Sequence, residues 1–132
     1  MQEQEHWRRL LLRSEETAKA YEDAQSLGKP EGGCRLCADS AAILQEFEHW
    51  LLMDNRFPYD RYFSKSHMLV TKRHVKEMNL NDDEEAEYEQ LRYGFLAENY
   101  DSMIDHLPKQ KSIPGHCHMH VVEIKRPDGL PR

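Results

Sequence analysis

The 132-residue chain has few of the residues that mark disulfide-rich or low-complexity proteins. It contains only 3 cysteines, an odd number, which argues against a framework of disulfides. Glycine and proline number 6 each, and no apolar run approaches the roughly 18 residues of a membrane span. The first residues lack the basic and then apolar pattern of a signal peptide. These absences predict a cytoplasmic globular protein without a membrane segment.

The chain also has fewer basic than acidic residues. The chain has 18 Lys and Arg against 24 Asp and Glu, a formal net charge of -6. A protein that binds duplex nucleic acid or anionic membranes in general needs a basic field, so both classes are disfavoured. The length fits one domain. We expect residues 1–30 to form an N-terminal helix and linker, and residues 31–132 to form the main domain.

The apolar pattern predicts an α+β fold with a mainly antiparallel sheet and two helices. One helix, an N-terminal extension, is expected from about Glu5 to Leu27. The other begins with Asn81 and Glu84, a pair typical of a capping box, and runs to about Asn99. Strands are expected at residues 43–47, 50–53, 67–71, 102–105 and 116–124.

Histidine is unusually frequent, with 8 in the chain, and three alternate at His116, His118 and His120. Side chains alternate between the two faces of a strand, so these three imidazoles are expected on one face. Two chemistries suit such a row. The histidines can bind a metal, or one can act as a nucleophile while its neighbours orient it and donate protons.

A C-x-x-C pair, Cys34 and Cys37, has the spacing of zinc ligands. A redox-active pair is the alternative, but that function usually requires a following helix, and none is predicted here. Zinc needs two further ligands. Cys117 alternates with the histidines and is expected to face the core, so histidines are the natural complement in a Cys₂His₂ set.

Several motifs, in order along the chain, resemble the histidine triad (HIT) family. The segment His116-Cys-His-Met-His-Val-Val122 is similar to the family signature His-x-His-x-His-x-x with apolar x positions. The segment His67-Met-Leu-Val-Thr-Lys-Arg-His-Val75 resembles the family's His-x-Leu-Val-x-x-Lys-x-His strand. Residues 43–55 resemble its first hairpin, and Asn55-Arg-Phe-Pro-Tyr59 resembles the loop of the nucleotide adenylyltransferase and phosphorylase branches. The resemblance implies a HIT-like fold over most of the chain after residue 33.

Resemblance to the zinc-containing branch of the family implies a ligand set. In that branch the metal is held by the C-x-x-C, by the histidine that ends the Lys-x-His strand and by the first triad histidine. The matching residues are Cys34, Cys37, His74 and His116. A site closed by four protein ligands has a structural role, because no position is open for substrate.

The resemblance also implies a reaction at the remaining triad histidines. The middle one, His118, matches the family nucleophile, which attacks the α-phosphorus of a nucleotide and forms a covalent nucleotidyl-histidine. His120 is then expected beside the phosphate as a hydrogen-bond donor. The implied activity is hydrolysis or transfer of nucleoside monophosphate groups, and the alternative is a nucleotide-sensing or scaffold protein with little turnover.

Three further residues match nucleotide-binding positions of the family. Asn55 matches the residue that holds the ribose hydroxyls, and His67 matches a further histidine near the site. Ser112 stands where many HIT hydrolases have a glutamine that contacts phosphate. The implied ligand is a purine nucleotide or nucleotide conjugate, and the family's small members imply a homodimer.

Overall fold

The computed structural model describes residues 11–27, 34–38, 40–107, 113 and 115–126. The described part contains four α-helices rather than the two expected. They are α1 (Glu15–Ser26), α2 (Arg35–Ala38), α3 (Asp82–Tyr93) and α4 (Phe95–Asn99). The strands are β1 (Ile43–Glu46), β2 (Trp50–Asp54), β3 (Phe63–Thr71), β4 (Ser102–Ile104) and β5 (His118–Ile124), with 3₁₀ turns at Ser40–Ala42 and Glu77–Asn79.

The five strands form one open antiparallel sheet in the order β1-β2-β3-β5-β4. This confirms the predicted α+β class with an antiparallel sheet. Strand β5 lies between β3 and β4, and its longest pairing is with β3. The triad strand is therefore central, and its backbone is held by neighbours on both sides.

The two faces of the sheet bury different sets of residues. One face packs on helices α3 and α4 through an apolar core that includes Trp50, Leu69 and Val121. The opposite face carries Met53 and Val70, together with residues of the C-x-x-C segment. His118 and His120 belong to this second face, because they pair across the strands with its members Val70 and Met68.

Helix α3 begins as predicted. Asn81 accepts a hydrogen bond from the Glu84 backbone N–H, and the Glu84 carboxylate accepts one from the Asn81 N–H, which completes the capping box. Arg73 also donates to the buried Glu84 carboxylate, at 2.7 and 3.0 Å. The expected single helix to Asn99 is wrong, because the chain divides into α3 and α4 at Gly94. A Cβ added there would lie only 3.0 Å from the Gln90 carbonyl oxygen.

The expected helix over residues 5–27 is interrupted before α1. Residues 1–10 lie outside the described part of the chain, and the helical turn at residues 11–12 ends at Arg13 and Ser14. The backbone N–H and hydroxyl of Ser14 both donate to the Asp60 carboxylate, which also accepts from the Thr17 hydroxyl. The break occurs because Ser14 bonds to the loop before β3 instead of continuing the helix.

Three other sequence-based boundaries are corrected. Strand β3 begins at Phe63, four residues before His67, since pairing with β5 extends to Ile124. The C-x-x-C enters a short helix, α2, where no helix was expected. The last strand begins at His118 rather than His116, because the Cys117 N–H donates to the Val75 carbonyl instead of to a strand neighbour.

None of the described helices has the length and apolar character that crossing a membrane requires.

Candidate metal centre and active site

Four side chains from three separate parts of the chain meet beside the start of β5. They are Cys34 and Cys37 around α2, His74 after β3, and His116 before β5, and their ligand atoms all lie within 4.8 Å of one another. The same four residues form the ligand set that the resemblance implied. The structure thus confirms that these residues come together in an arrangement that can bind a metal.

The distances within this cluster fit a tetrahedral metal site. The Cys37 sulfur lies 3.2 Å from His74 Nδ1 and 3.4 Å from His116 Nδ1, and the Cys34 sulfur lies 3.5 Å from His116 Nδ1. In a tetrahedral site with bonds of about 2.3 Å to sulfur and about 2.0 Å to nitrogen, such atoms lie about 3.5 Å apart. The side chains therefore need little movement to share one ion.

The hydrogen bonding of His116 also fits a metal ligand. Its Nε2 lies 2.7 Å from the Thr71 carbonyl oxygen. A carbonyl can only accept, so Nε2 carries the proton and the Nδ1 lone pair faces the two sulfurs. Burial lowers the pKa of His116, although the bond to Thr71 opposes this effect. The ring is thus held in the neutral tautomer that a metal requires.

The two thiols of the cluster are free cysteines. Burial and the adjacent Cys34 thiol raise the pKa of Cys37, because two thiolates placed together repel. A bound cation would reverse that preference. The third cysteine, Cys117, is buried in the core under α3 and α4, as expected from its alternation with the histidines.

His118 occupies a different environment, although it is only two residues from His116. It is 4% exposed, and its Nδ1 lies 2.8 Å from the His116 carbonyl oxygen. Because the carbonyl accepts, Nδ1 carries the proton, and the lone pair of a neutral ring is on Nε2. The ring is held on a central strand and lines a cavity. This is the arrangement a nucleophilic imidazole requires.

His120 lines the same cavity and belongs to a second hydrogen-bonded cluster. Its Nε2 lies 3.0 Å from the Tyr59 hydroxyl, and that hydroxyl lies 2.8 Å from Nε2 of His106. The rings of His118 and His120 are 5.9 Å apart. Sequence reasoning assigned His106 no role. No local pattern in the sequence links it to His120, because Tyr59, His106 and His120 come together only in the folded chain.

The cavity beside these histidines has a volume of about 440 Å³. Helix α1 and the loop before β3 form part of its wall, with the aromatic rings of Tyr21, Phe57 and Tyr59. Arg13, Arg35 and Arg56 also line it, whereas Asp54 is the single acidic residue among the described residues that line it. The described lining of this cavity therefore has more cationic than anionic side chains, although the whole chain has a net charge of -6. Its size and lining suit an anionic ligand with an apolar part.

Of the three predicted nucleotide-binding residues, Asn55 and His67 belong to the described part of the chain. Asn55 is buried, accepts a hydrogen bond from the Phe57 N–H and lies 3.4 Å from the Ser66 hydroxyl. His67 lies on the opposite face of the sheet from His118, with its Nδ1 2.6 Å from the Tyr100 hydroxyl. Burial lowers the pKa of His67, against a smaller opposing effect of the Asp54 carboxylate. Ser112 lies outside the described residues.

A scan against protein-family models finds no match to this chain, and no curated protein matches its sequence significantly.

Proposed function

We propose that this protein is a zinc-stabilised enzyme of the HIT type that hydrolyses or transfers nucleoside monophosphate groups through His118. The observation that carries the proposal is the state of His118 in the cavity wall. Its Nδ1 donates to the His116 carbonyl, so the lone pair of the neutral ring lies on Nε2. An imidazole has a reference pKa of about 6.5, which makes it both a competent nucleophile and a good leaving group near neutral pH.

Zinc is the proposed ion at the four-residue cluster. Two thiolates and two imidazoles are a typical ligand set for structural zinc, and all four positions are supplied by the protein. Bound zinc would supply structural support, because it would join α2, the end of β3 and the start of β5. The His116 carbonyl that orients His118 belongs to one of these ligands, so metal binding and the position of the nucleophile are linked.

The proposed first step is an in-line displacement at phosphorus. The Nε2 lone pair of His118 forms a bond to the α-phosphorus, and the bond between phosphorus and the leaving group breaks. The leaving group departs with the electron pair of that bond and takes up a proton. His120, which lines the same cavity, is the proposed donor of that proton.

The second step releases the nucleotide. Water, or another acceptor hydroxyl, attacks the phosphorus, and the bond to His118 breaks with its electron pair returning to Nε2. The acceptor loses one proton to the site, so both histidines return to their starting state. Covalent relay through a histidine replaces one difficult displacement with two easier ones.

The proposed ligand is a purine nucleotide or a nucleotide conjugate. The cavity supports this choice, because aromatic and aliphatic side chains can cover a base while its guanidinium groups face phosphate oxygens. In this proposal Asn55 contacts the ribose and Ser112 contacts phosphate, whereas His67, on the opposite face of the sheet from His118, has no direct role in the reaction. We also propose that the protein is a homodimer, as the resemblance implies.

The decisive experiment is to trap the covalent intermediate. The full-length protein would be incubated with adenosine 5′-phosphoramidate and quenched, and its intact mass measured under conditions that preserve phosphohistidine. We expect an added mass of one adenylyl group in the wild type and none in His118→Ala. His49→Ala is the matched control, since His49 lies in the β1–β2 hairpin beside Glu48, away from the cavity.

The same preparation tests the alternative of a nucleotide sensor. Calorimetric titration with AMP reports binding whether or not turnover occurs. Binding of AMP without an adduct or hydrolysis from any adenosine- or guanosine-based conjugate would contradict the enzyme and favour the sensor. An adduct that persists in His118→Ala would contradict the choice of nucleophile.

A further inference from the structure

One tyrosine hydroxyl joins two imidazoles beside the cavity. Tyr59 lies in the loop before β3, His106 follows β4, and His120 is on β5. The hydroxyl oxygen lies 2.8 Å from His106 Nε2 and 3.0 Å from His120 Nε2. The three rings also pack on one another: Tyr59 and His120 have centroids 4.3 Å apart, and the two imidazoles 5.6 Å apart.

The number of protons limits how this cluster can hydrogen-bond. Burial raises the pKa of Tyr59 to about 12, so the phenol keeps its proton at neutral pH. A phenol has a single proton to donate, and its oxygen can also accept. When the hydroxyl donates to one imidazole, the other imidazole must therefore donate its Nε2–H to the hydroxyl oxygen. The protonation states of the two histidines are coupled through Tyr59.

The two imidazoles differ in their access to solvent. His120 is 6% exposed and Tyr59 is 5% exposed, whereas His106 is half-buried. Among the described residues, the other charged or titratable groups near the cluster include Arg13, whose guanidinium lies 4.8 Å from the Tyr59 ring centre, Tyr21 and His118.

We propose that His106 is a positioning residue that acts through the Tyr59 hydroxyl to set the orientation and protonation state of His120. Its effect on catalysis rests on the proposed function, whereas the coupling of the two imidazoles does not. With His106 donating to Tyr59 and Tyr59 donating to His120 Nε2, a neutral His120 carries its proton on Nδ1.

Nuclear magnetic resonance of the ring nitrogens tests the coupling without any substrate. Full-length protein with ¹⁵N-labelled histidine would be titrated as wild type, His106→Gln, Tyr59→Phe and the double variant. In His106→Gln the midpoint of His120 protonation is expected to move by about 0.5 pH unit, because the imidazole that shares a proton with the Tyr59 hydroxyl is replaced by an amide. In the Tyr59→Phe background the same substitution is expected to move it by less than half as much.

Two results would overturn the proposal. One is a His120 midpoint that is the same in wild type and His106→Gln. The other is an equal effect of His106→Gln with and without the Tyr59 hydroxyl. His49→Gln is the control for removing a histidine elsewhere, and thermal melting of each variant verifies that it is folded at the temperature of the titration.

The catalytic consequence has its own readout. Where adenylyl transfer is measured, the alkaline limb of its rate profile is expected to move in His106→Gln in parallel with the His120 midpoint, because a proton donor must be protonated to act. A fall in rate at every pH without such a move would contradict the positioning role. If the protein turns over no nucleotide, the proposed function fails, and the titration still decides whether Tyr59 couples the two histidines.

Discussion

The metal cluster and the cavity cluster take alternate histidines from one short segment and surround them differently. His116 belongs to a cluster of two thiols and two imidazoles whose ligand atoms all lie within 4.8 Å of one another. His118 and His120 instead line a cavity of about 440 Å³. Both clusters use histidines of β5 or its start, and these histidines are two residues apart along the chain. The chemistry available to a histidine therefore depends on two things. One is the group that hydrogen-bonds to one ring nitrogen and fixes the tautomer, and the other is whether a ligand can approach the second ring nitrogen.

Hydrogen bonds to backbone carbonyls fix the tautomers of His116 and His118. The Thr71 carbonyl accepts from Nε2 of His116, which leaves Nδ1 for a metal, whereas the His116 carbonyl accepts from Nδ1 of His118, which leaves the lone pair on Nε2. Neighbouring imidazoles are thereby held in opposite tautomers. One tautomer suits a metal ligand at Nδ1, and the other keeps the basic nitrogen at Nε2.

The largest expected effect is on the rate of the proposed nucleotidyl transfer. His118→Ala should reduce nucleotidyl transfer about 10⁴-fold or more, because it removes the attacking nitrogen. Metal content and melting temperature should stay close to those of the wild type, since His118 is outside the ligand set. The test pairs a single-turnover assay with metal analysis. Loss of the metal in this variant would show that the division between the two clusters is wrong.

His116→Ala removes a metal ligand instead of the proposed nucleophile, and it should first lower the stability of the protein. It opens a four-ligand site, and metal binding is coupled to folding, so we expect about 4 kcal/mol of the unfolding free energy to be lost. Freshly purified wild type should contain about one zinc per chain, and this variant much less. Urea unfolding and elemental analysis measure both quantities. A wild type free of metal would contradict the zinc assignment.

A smaller, pH-dependent effect on stability is expected at Asp60, which joins the start of α1 to the loop before β3. Partial burial alone would raise the pKa of Asp60, but hydrogen bonds from Ser14 and Thr17 outweigh it and hold that pKa below its usual value. A depressed folded-state pKa contributes stability above the unfolded pKa, and this contribution is lost as pH falls through the folded one. Asp60→Asn should therefore destabilise by about 1–2 kcal/mol at pH 7.

Urea unfolding of wild type and Asp60→Asn at pH 7 and at pH 3 measures this effect. The difference between the two proteins is expected to shrink at the lower pH, because the contribution of a carboxyl with a lowered folded-state pKa is lost progressively as pH falls below its unfolded-state pKa. A difference that is equal at both values would mean that the charge of Asp60 is not what holds α1 to the loop.

The smallest expected effect concerns Asn55. If Asn55 contacts the ribose, Asn55→Ala should weaken AMP binding several-fold and leave the corresponding deoxynucleotide nearly unaffected, since a neutral hydrogen bond contributes about 0.5–1.5 kcal/mol. Calorimetric titration of both nucleotides measures the difference. Asn55 also accepts from the Phe57 N–H, so an equal loss for the two ligands would identify it as a residue that orders the loop.

Local patterns in the sequence predicted most of the sheet and one helix start. The β1–β2 hairpin and the capping box of Asn81 and Glu84 depend on residues a few positions apart, and both are present. The set of four metal ligands was reached through the resemblance and is confirmed as a spatial cluster. The identity of the ion and the reaction at His118 stay predictions.

What the sequence by itself determined is the order of elements and the residue types available at the start of β5, because propensity, capping and alternation act over short distances. The tertiary structure decided which of those residues meet. His106 and Tyr59 are 47 positions apart, and only the folding of the loop before β3 against the β4–β5 connection brings both to His120. The interruption of the N-terminal helix at Ser14 likewise depends on Asp60, 46 positions away. Contacts at such separations are selected by packing and hydrogen bonding in the folded chain, which no local pattern records.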